Sequence, residues 1–137
     1  NKPGKLSRIE MEMIRQHPLV GYDIIKDIPF PWPIADIVLQ HHERIDGSGY
    51  FNGLKKDDIL IEARILAVAD VVEAMSSHRP YRPALGMDIA LKEIVQNQGK
   101  FYDTSVVDAC IQAIKKQNFQ FSNSIFELFV KFTPSIF

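Results

Sequence analysis

Residues 61–76 read IEARILAVADVVEAMS, and this stretch predicts the helix at the centre of the fold. Its apolar residues nearly encircle a helix, which is typical of a helix buried in a protein core. The exception is Asp70, because an aspartate buried there without a partner would cost several kcal/mol. A metal cation or a histidine could supply that partner. The run therefore predicts a core helix with a polar site beside it.

The rest of the chain also places its apolar residues mostly at helical spacing. Further helices are predicted near residues 8–16, 87–97 and 104–117, with two shorter ones flanking the proline-rich connector 29–33. Asp103 is a plausible N-cap for the last helix. No strand pattern longer than a few residues occurs, so we expect an all-α bundle.

Composition excludes several classes of protein. The chain has 137 residues, 46% of them apolar and 24% charged, which is ordinary for one soluble globular domain. A formal net charge of −1 argues against a broad basic surface for a nucleic acid polymer. The single cysteine, Cys110, excludes an internal disulfide and a zinc site built from cysteines. Since neither a long apolar run nor a signal-peptide pattern occurs, we expect no membrane span and a cytoplasmic protein.

Three histidines near carboxylates, His17, His41 and His42, are candidates for metal binding. Neutral imidazoles together with carboxylates are typical ligands of zinc, iron or manganese. If His41 and His42 lie on a helix, their side chains project about 100° apart. The two would not easily approach one ion in the same way, but they could serve neighbouring ions, as in two-metal hydrolytic sites. The alternative is an ordinary histidine pair that is partly exposed or hydrogen-bonded.

Two loops carry residues suited to phosphate binding. Arg79 and Arg82 flank Tyr81 in a proline-stiffened segment, and an arginine fork matches two phosphate oxygens. The glycines between residues 47 and 53 allow the backbone to approach a ligand closely. A solvated surface loop and a plain glycine-rich turn remain the alternative interpretations.

The run HHERIDGSGY at residues 41–50 resembles the signature of the HD-GYP family, which are bacterial metal-dependent phosphohydrolases acting on cyclic di-GMP. Other segments that resemble the family follow its order and spacing: KPGKL at 2–6, HP at 17–18, NGL at 52–54, ARILAVAD at 63–70 and RPYR at 79–82. The resemblance covers roughly residues 1–115 and implies a helical bundle of the HD superfamily.

The resemblance also implies roles for individual residues. The metal ligands it implies are His17, His41, His42 and Asp70, holding two or three iron or manganese ions. The implied substrate-binding residues are Gly49, Tyr50, Arg79 and Arg82, and those that orient ligands and loop are Glu43 and Asp46. No catalytic residue beyond the metal ligands is assignable.

The chain departs from the family pattern in three places. The family's His-Asp pair lies upstream of residues 2–5, where this sequence begins. We therefore expect an incomplete domain over residues 1–117, truncated at its N-terminal side and unable to complete a dinuclear centre alone. Phe51 replaces the signature proline, which softens the restraint on the loop backbone. Residues 101–104, FYDT, resemble the family's Phe-Asp-Pro segment with Tyr102 added and the proline missing, which affects only the start of a helix.

Residues 118–137 form a separate segment rich in phenylalanine. A short helix that covers the bundle is one interpretation. A surface for a homodimer or a signalling partner is the other, because aromatic residues are enriched at interfaces.

The parent protein is therefore expected to hydrolyse a phosphodiester of cyclic di-GMP to linear pGpG or GMP. The resemblance implies that water activated by the metal ions attacks phosphorus. The cations, with Arg79 and Arg82, then stabilise charge on the phosphoryl oxygens. Two alternatives stay open: a degenerate, non-catalytic module that binds a nucleotide or a signalling partner, and an HD phosphohydrolase with another nucleotide substrate. The signature loop argues against the second alternative.

Overall fold

A computed structural model describes residues 8–77 and 84–117 of the chain. Within these ranges the chain forms α-helices and no β-strand. The helices are α1 (Arg8–Arg15), α2 (His17–Ile25), α3 (Ile34–Gln40), α4 (Ile61–Ser76), α5 (Met87–Gln96) and α6 (Thr104–Gln117). A short 3₁₀ helix, Lys56–Asp58, precedes α4. The predicted all-α fold is confirmed.

His17 and Pro18 lie at the boundary between two consecutive helices. α1 ends at Arg15 and α2 begins at His17, so only Gln16 separates them. Pro18 lies in the first turn of α2 and is buried. Proline is tolerated there because the first N–H groups of a helix have no partner within the helix. The boundary fixes His17 at the start of α2.

The main core lies between α4, α5 and α6. Buried apolar side chains from all three helices and from the turn before α6 form one cluster: Val68, Val72, Ala90, Ile94, Tyr102, Val106 and Val107. The lone cysteine, Cys110, is partly buried against this cluster, and burial raises the pKa of its thiol. The C-terminal half of the described chain thus supplies this core cluster.

α4 is not buried all round, although its apolar pattern predicted that. Ala63, Ala67 and Val68 are buried, whereas Ile61 and Ile65 are 46% and 51% exposed. Apolar side chains of α1 and α2 are also exposed, among them Ile9 at 76% and Ile24 at 71%. A sequence pattern alone cannot distinguish a face that packs from an apolar face that does not.

An ion pair joins α4 to the start of α6. Arg64 Nη1 donates to Asp103 Oδ2 at 3.0 Å, and its Nε and Nη2 both donate to the carbonyl oxygen of Ile59. The other carboxylate oxygen of Asp103 accepts the backbone N–H of Ser105 at 3.0 Å. Asp103 is therefore the N-cap of α6, as predicted, and it also fastens that cap to α4.

Some predictions fall on residues outside the described ranges. These are the substrate contacts of Arg79 and Arg82 and the boundary between the domain and the segment 118–137. They stay predictions. Among the helices of the described ranges, none has both the length and the apolar character that a membrane crossing requires.

Candidate metal centre

Three histidines from two helix junctions meet at one point. His17 is the first residue of α2, and His41 and His42 directly follow the last residue of α3. α2 packs closely against α3 because Gly21 has no side chain there. A Cβ at that position would lie 2.8 Å from Cγ1 of Val38. The close packing of the two helices brings the three imidazoles together.

The ring nitrogens of these histidines converge. Nε2 of His17 lies 3.0 Å from Nε2 of His42 and 3.3 Å from Nε2 of His41. One ligand atom from each of the three residues lies within 4.8 Å of the others. Two nitrogens that bind one ion at about 2.1 Å stand about 3.0–3.4 Å apart, for angles between octahedral and tetrahedral. The observed separations therefore fit ligands that share one ion.

Backbone carbonyls orient two of the three rings. Nδ1 of His17 lies 2.5 Å from the carbonyl oxygen of Ile14, and Nδ1 of His41 lies 2.6 Å from that of Val38. A carbonyl oxygen only accepts, so each Nδ1 carries a proton, and Nε2 is the nitrogen that can bind a metal ion. Metal-binding histidines in proteins commonly have their second nitrogen held in this way.

The expectation that His41 and His42 serve neighbouring ions stays a prediction, but its premise is wrong. Both residues were expected on a helix, whereas α3 ends at Gln40. Beyond that point the chain turns, and the two ring centroids lie only 4.0 Å apart. Both rings direct Nε2 toward His17, so the geometry allows one shared ion.

Electrostatics keep the partly buried imidazoles neutral. Burial, reinforced by His41, His17 and Arg44, lowers the pKa of His42 from 6.5 to about 3. Burial also lowers the pKa of His41, against the opposing effects of the Val38 carbonyl and Asp70. Both rings are therefore neutral at pH 7, which is the form that binds metal ions.

Asp70 faces this site from α4 but does not join the three-histidine group. Its charge raises the pKa of His41 and also acts on Tyr50. Its carboxylate is absent from the group whose ligand atoms lie within 4.8 Å of one another. Its role as a ligand stays a prediction.

Glu43 holds the loop that follows the histidines. Its side chain is buried, with only 3% of the residue exposed. One carboxylate oxygen accepts the N–H groups of Asn52 at 2.7 Å and Gly53 at 3.1 Å, and the other accepts that of Leu54 at 3.0 Å. The carboxylate thus pairs three backbone donors of the loop.

Gly49 and Tyr50 pack the loop against the candidate ligands. A Cβ on Gly49 would lie 2.4 to 2.5 Å from backbone atoms of residues 42–44, so no larger residue fits there. Tyr50 donates its N–H to the carbonyl oxygen of His42 at 3.2 Å, and its ring stacks on that imidazole. The loop therefore touches both the backbone and the ring of His42.

Asp46 shapes the first turn of this loop. Its Oδ1 accepts the backbone N–H of Ser48 at 2.9 Å and the hydroxyl of the same residue at 2.6 Å. These hydrogen bonds lower the pKa of Asp46. Gly47 between them has a positive φ of 83°, which suits glycine. The structure thus places Asp46 in a turn, and its carboxylate is not part of the three-histidine group.

Sequence reasoning missed the carbonyls that orient the rings. Each lies three residues before its histidine, in the last turn of α1 or α3. Carbonyls in the last turn of a helix have no partner within the helix. A histidine placed just after a predicted helix end is therefore a signal that could have found these contacts.

Residues 1–106 match the family model described as HD domain. The chain belongs to the HD domain family. This membership agrees with the resemblance to the HD-GYP signature and with the all-α fold. The individual ligand and substrate roles stay predictions.

Curated relatives of this HD domain protein are named as phosphodiesterases. It is 45% identical over 113 residues to the cyclic di-GMP phosphodiesterase response regulator RpfG of Xanthomonas campestris, covering 81% of this chain and 30% of the relative. It is 42% identical over 117 residues to a cyclic di-GMP phosphodiesterase of Thermotoga maritima, covering 84% and 32%. The chain thus spans about a third of the length of these relatives.

A solved structure shares the fold of this HD domain. It is Bd1817, an HDG"Y"P protein from Bdellovibrio bacteriovorus, with a TM-score of 0.65 and 19% sequence identity. The match covers 81% of this chain and 35% of that one. At this level of identity the likeness shows the fold alone.

Proposed function

We propose that this HD domain carries metal ligands of a phosphodiesterase that hydrolyses cyclic di-GMP. The observation that carries the proposal is the convergence of three Nε2 atoms, from His17, His41 and His42. A hydrogen-bonded histidine pair without a ligand role would not require a third imidazole from another helix. The names of the curated relatives support cyclic di-GMP as the substrate.

Three imidazoles with a nearby carboxylate suit zinc, iron and manganese alike. The resemblance to the HD-GYP family is what favours iron or manganese among them. We propose that His17, His41 and His42 hold one ion of a two- or three-ion centre and that Asp70 contributes a further ligand. Such a centre would supply Lewis acidity for phosphoryl transfer when it is bound.

The residues of the chain would then hold the ligands and the substrate. The carbonyls of Ile14 and Val38 fix two imidazoles in the tautomer that leaves Nε2 free. Glu43 and Gly49 hold the loop so that Tyr50 covers one face of His42. Gly49 and Tyr50 are proposed to face the substrate on this loop. Arg79 and Arg82 are proposed to bind its phosphate oxygens.

The test measures hydrolysis of cyclic di-GMP by the full-length protein reconstituted with Mn²⁺ or, without oxygen, with Fe²⁺. Chromatography of the products separates pGpG from GMP, and the adenine analogue of the substrate checks base preference. We expect turnover by the natural protein and a loss of about 100-fold or more in His42→Ala. Lys116→Ala, which changes an exposed residue of α6, serves as the control and should keep full activity.

A metal-loaded natural protein that binds cyclic di-GMP without hydrolysing it would contradict the proposal. That result would favour the alternative of a non-catalytic module that binds nucleotide in signalling.

A further inference from the structure

Arg15, the last residue of α1, reaches the candidate metal centre through Tyr50. Its guanidinium carbon lies 5.8 Å from the centroid of the Tyr50 ring. That ring stacks in turn on His42, with 4.8 Å between the centroids. Two ring contacts therefore connect Arg15 to a candidate metal ligand. Neither the HD-GYP signature nor the other segments that resemble the family assigned a role to Arg15.

The guanidinium of Arg15 is available to a ligand. The residue is exposed, and within the described ranges it takes part in neither of the two ion pairs, Lys26 with Asp23 and Arg64 with Asp103. A contact over a ring face leaves the N–H groups at the edge of the guanidinium free. Arg44, the other arginine near Tyr50, already donates to the carbonyl oxygen of Glu43.

The surroundings favour an anion beside Arg15. The hydroxyl of Tyr50 can donate a hydrogen bond to the same anion, as the guanidinium does. A cyclic dinucleotide carries two phosphates. Whichever phosphate is hydrolysed at the metal centre, the other is left for a separate cationic partner.

We propose that Arg15 is a substrate-binding residue whose guanidinium, supported by the ring of Tyr50, binds a phosphate of the cyclic dinucleotide. The planar fork of an arginine matches two phosphate oxygens, which a lysine cannot reproduce. This inference rests on the proposed function for its substrate. It adds a contact from α1 to those predicted from the signature loop and from residues 79–82.

The test compares Arg15→Met, which keeps much of the stem and removes the charge, with Arg15→Lys, which keeps the charge without the fork. Lys26→Met is the matched control, because Lys26 is also an exposed cation over a tyrosine ring, 5.9 Å from the centroid of Tyr22. The full-length proteins are assayed for the KM and kcat of cyclic di-GMP hydrolysis and for bound metal. Calorimetry measures the Kd for cyclic di-GMP independently of turnover.

For Arg15→Met we expect KM and Kd to rise about 10-fold or more, as for loss of a hydrogen bond to a charged group. The expected kcat stays within about 2-fold of the natural value, and the metal content is unchanged. The KM and Kd of Arg15→Lys should lie between those of Arg15→Met and those of the natural protein. The KM and Kd of Lys26→Met should equal those of the natural protein.

Three results would overturn the assignment. The first is a KM and a Kd of Arg15→Met that stay within about 2-fold of the natural values. The second is an equal rise of KM and Kd in Lys26→Met. The third is a loss of bound metal in Arg15→Met, which would indicate a structural role. A natural protein that binds cyclic di-GMP without hydrolysing it would contradict only the phosphodiesterase proposal, since the Kd comparison still decides the role of Arg15. A natural protein that does neither would contradict both.

Discussion

The ring of Tyr50 stacks on the imidazole of His42, with 4.8 Å between the centroids and 28° between the planes. The backbone N–H of the tyrosine also donates to the carbonyl oxygen of the histidine. A loop residue thus contacts both the ring and the main chain of a candidate metal ligand. A change that moves the loop is therefore expected to change metal binding, even where it touches no ligand directly.

Gly49→Ala should disrupt this relationship. The new Cβ would lie within 2.5 Å of the carbonyl oxygen of His42 and of Cα of Glu43, and backbone atoms cannot rotate away. We expect a loss of about 1–3 kcal/mol in the free energy of unfolding and at least a 10-fold loss of metal affinity. Urea unfolding and metal titration measure the two effects.

Gly86→Ala is the control for this change. Gly86 has open space around the position of a Cβ, so a methyl group there meets no close contact. Its positive φ of 100°, which Gly49 does not share, gives the control a conformational cost of its own, but the control should keep its metal. Equal metal affinity in the two variants would contradict the role given to Gly49.

Glu43→Gln should loosen the same loop from its other end. An amide offers one acceptor oxygen in place of two, so at least one N–H among those of Asn52, Gly53 and Leu54 loses its partner. We expect a loss of about 1–3 kcal/mol in the free energy of unfolding. Faster hydrogen exchange at residues 52–54 would locate the effect.

Glu62→Gln is the matched control for Glu43→Gln, because Glu62 is an exposed carboxylate in the first turn of α4. Glu62→Gln should change neither the free energy of unfolding nor hydrogen exchange at residues 52–54. If both variants behave alike, Glu43 does not hold the loop.

The stability of the metal-free protein should fall as the pH drops below about 6.5. In the folded state burial and neighbouring charges lower the pKa of His42 to about 3, and burial lowers that of His41. Between pH 6.5 and the folded pKa values the unfolded chain therefore binds more protons, which favours unfolding. Urea unfolding at pH 7, 6 and 5 measures the slope.

The double variant His41→Gln with His42→Gln lacks both titrating groups. Its free energy of unfolding should vary less between pH 7 and 5 than that of the natural protein. Parallel curves for the two proteins would show that the lowered pKa values do not govern this dependence.

Much of the fold was predictable because the helices carry strong periodic signals. The apolar run predicted both ends of α4, Ile61 and Ser76, and Asp103 predicted the start of α6. The exposure of Ile65 was not predictable, because it depends on which helices pack against α4.

The candidate site was predictable in its residues more than in its geometry. The HD-GYP resemblance pointed to His17, His41 and His42, which the structure brings together. Their convergence depends on α3 ending at Gln40, and a periodic sequence pattern cannot locate a helix end to within one residue. The contact of Arg15 with Tyr50 joins distant segments, and no local signal marks it.

The most direct test of the central claim is an anomalous-scattering crystal structure of the protein grown with Mn²⁺ or Fe²⁺. We predict a metal peak about 2.0–2.3 Å from Nε2 of His17, His41 and His42, and loss of that peak in His17→Ala. Three imidazoles that contact only one another at saturating metal, with the peak absent or bound elsewhere, would contradict it.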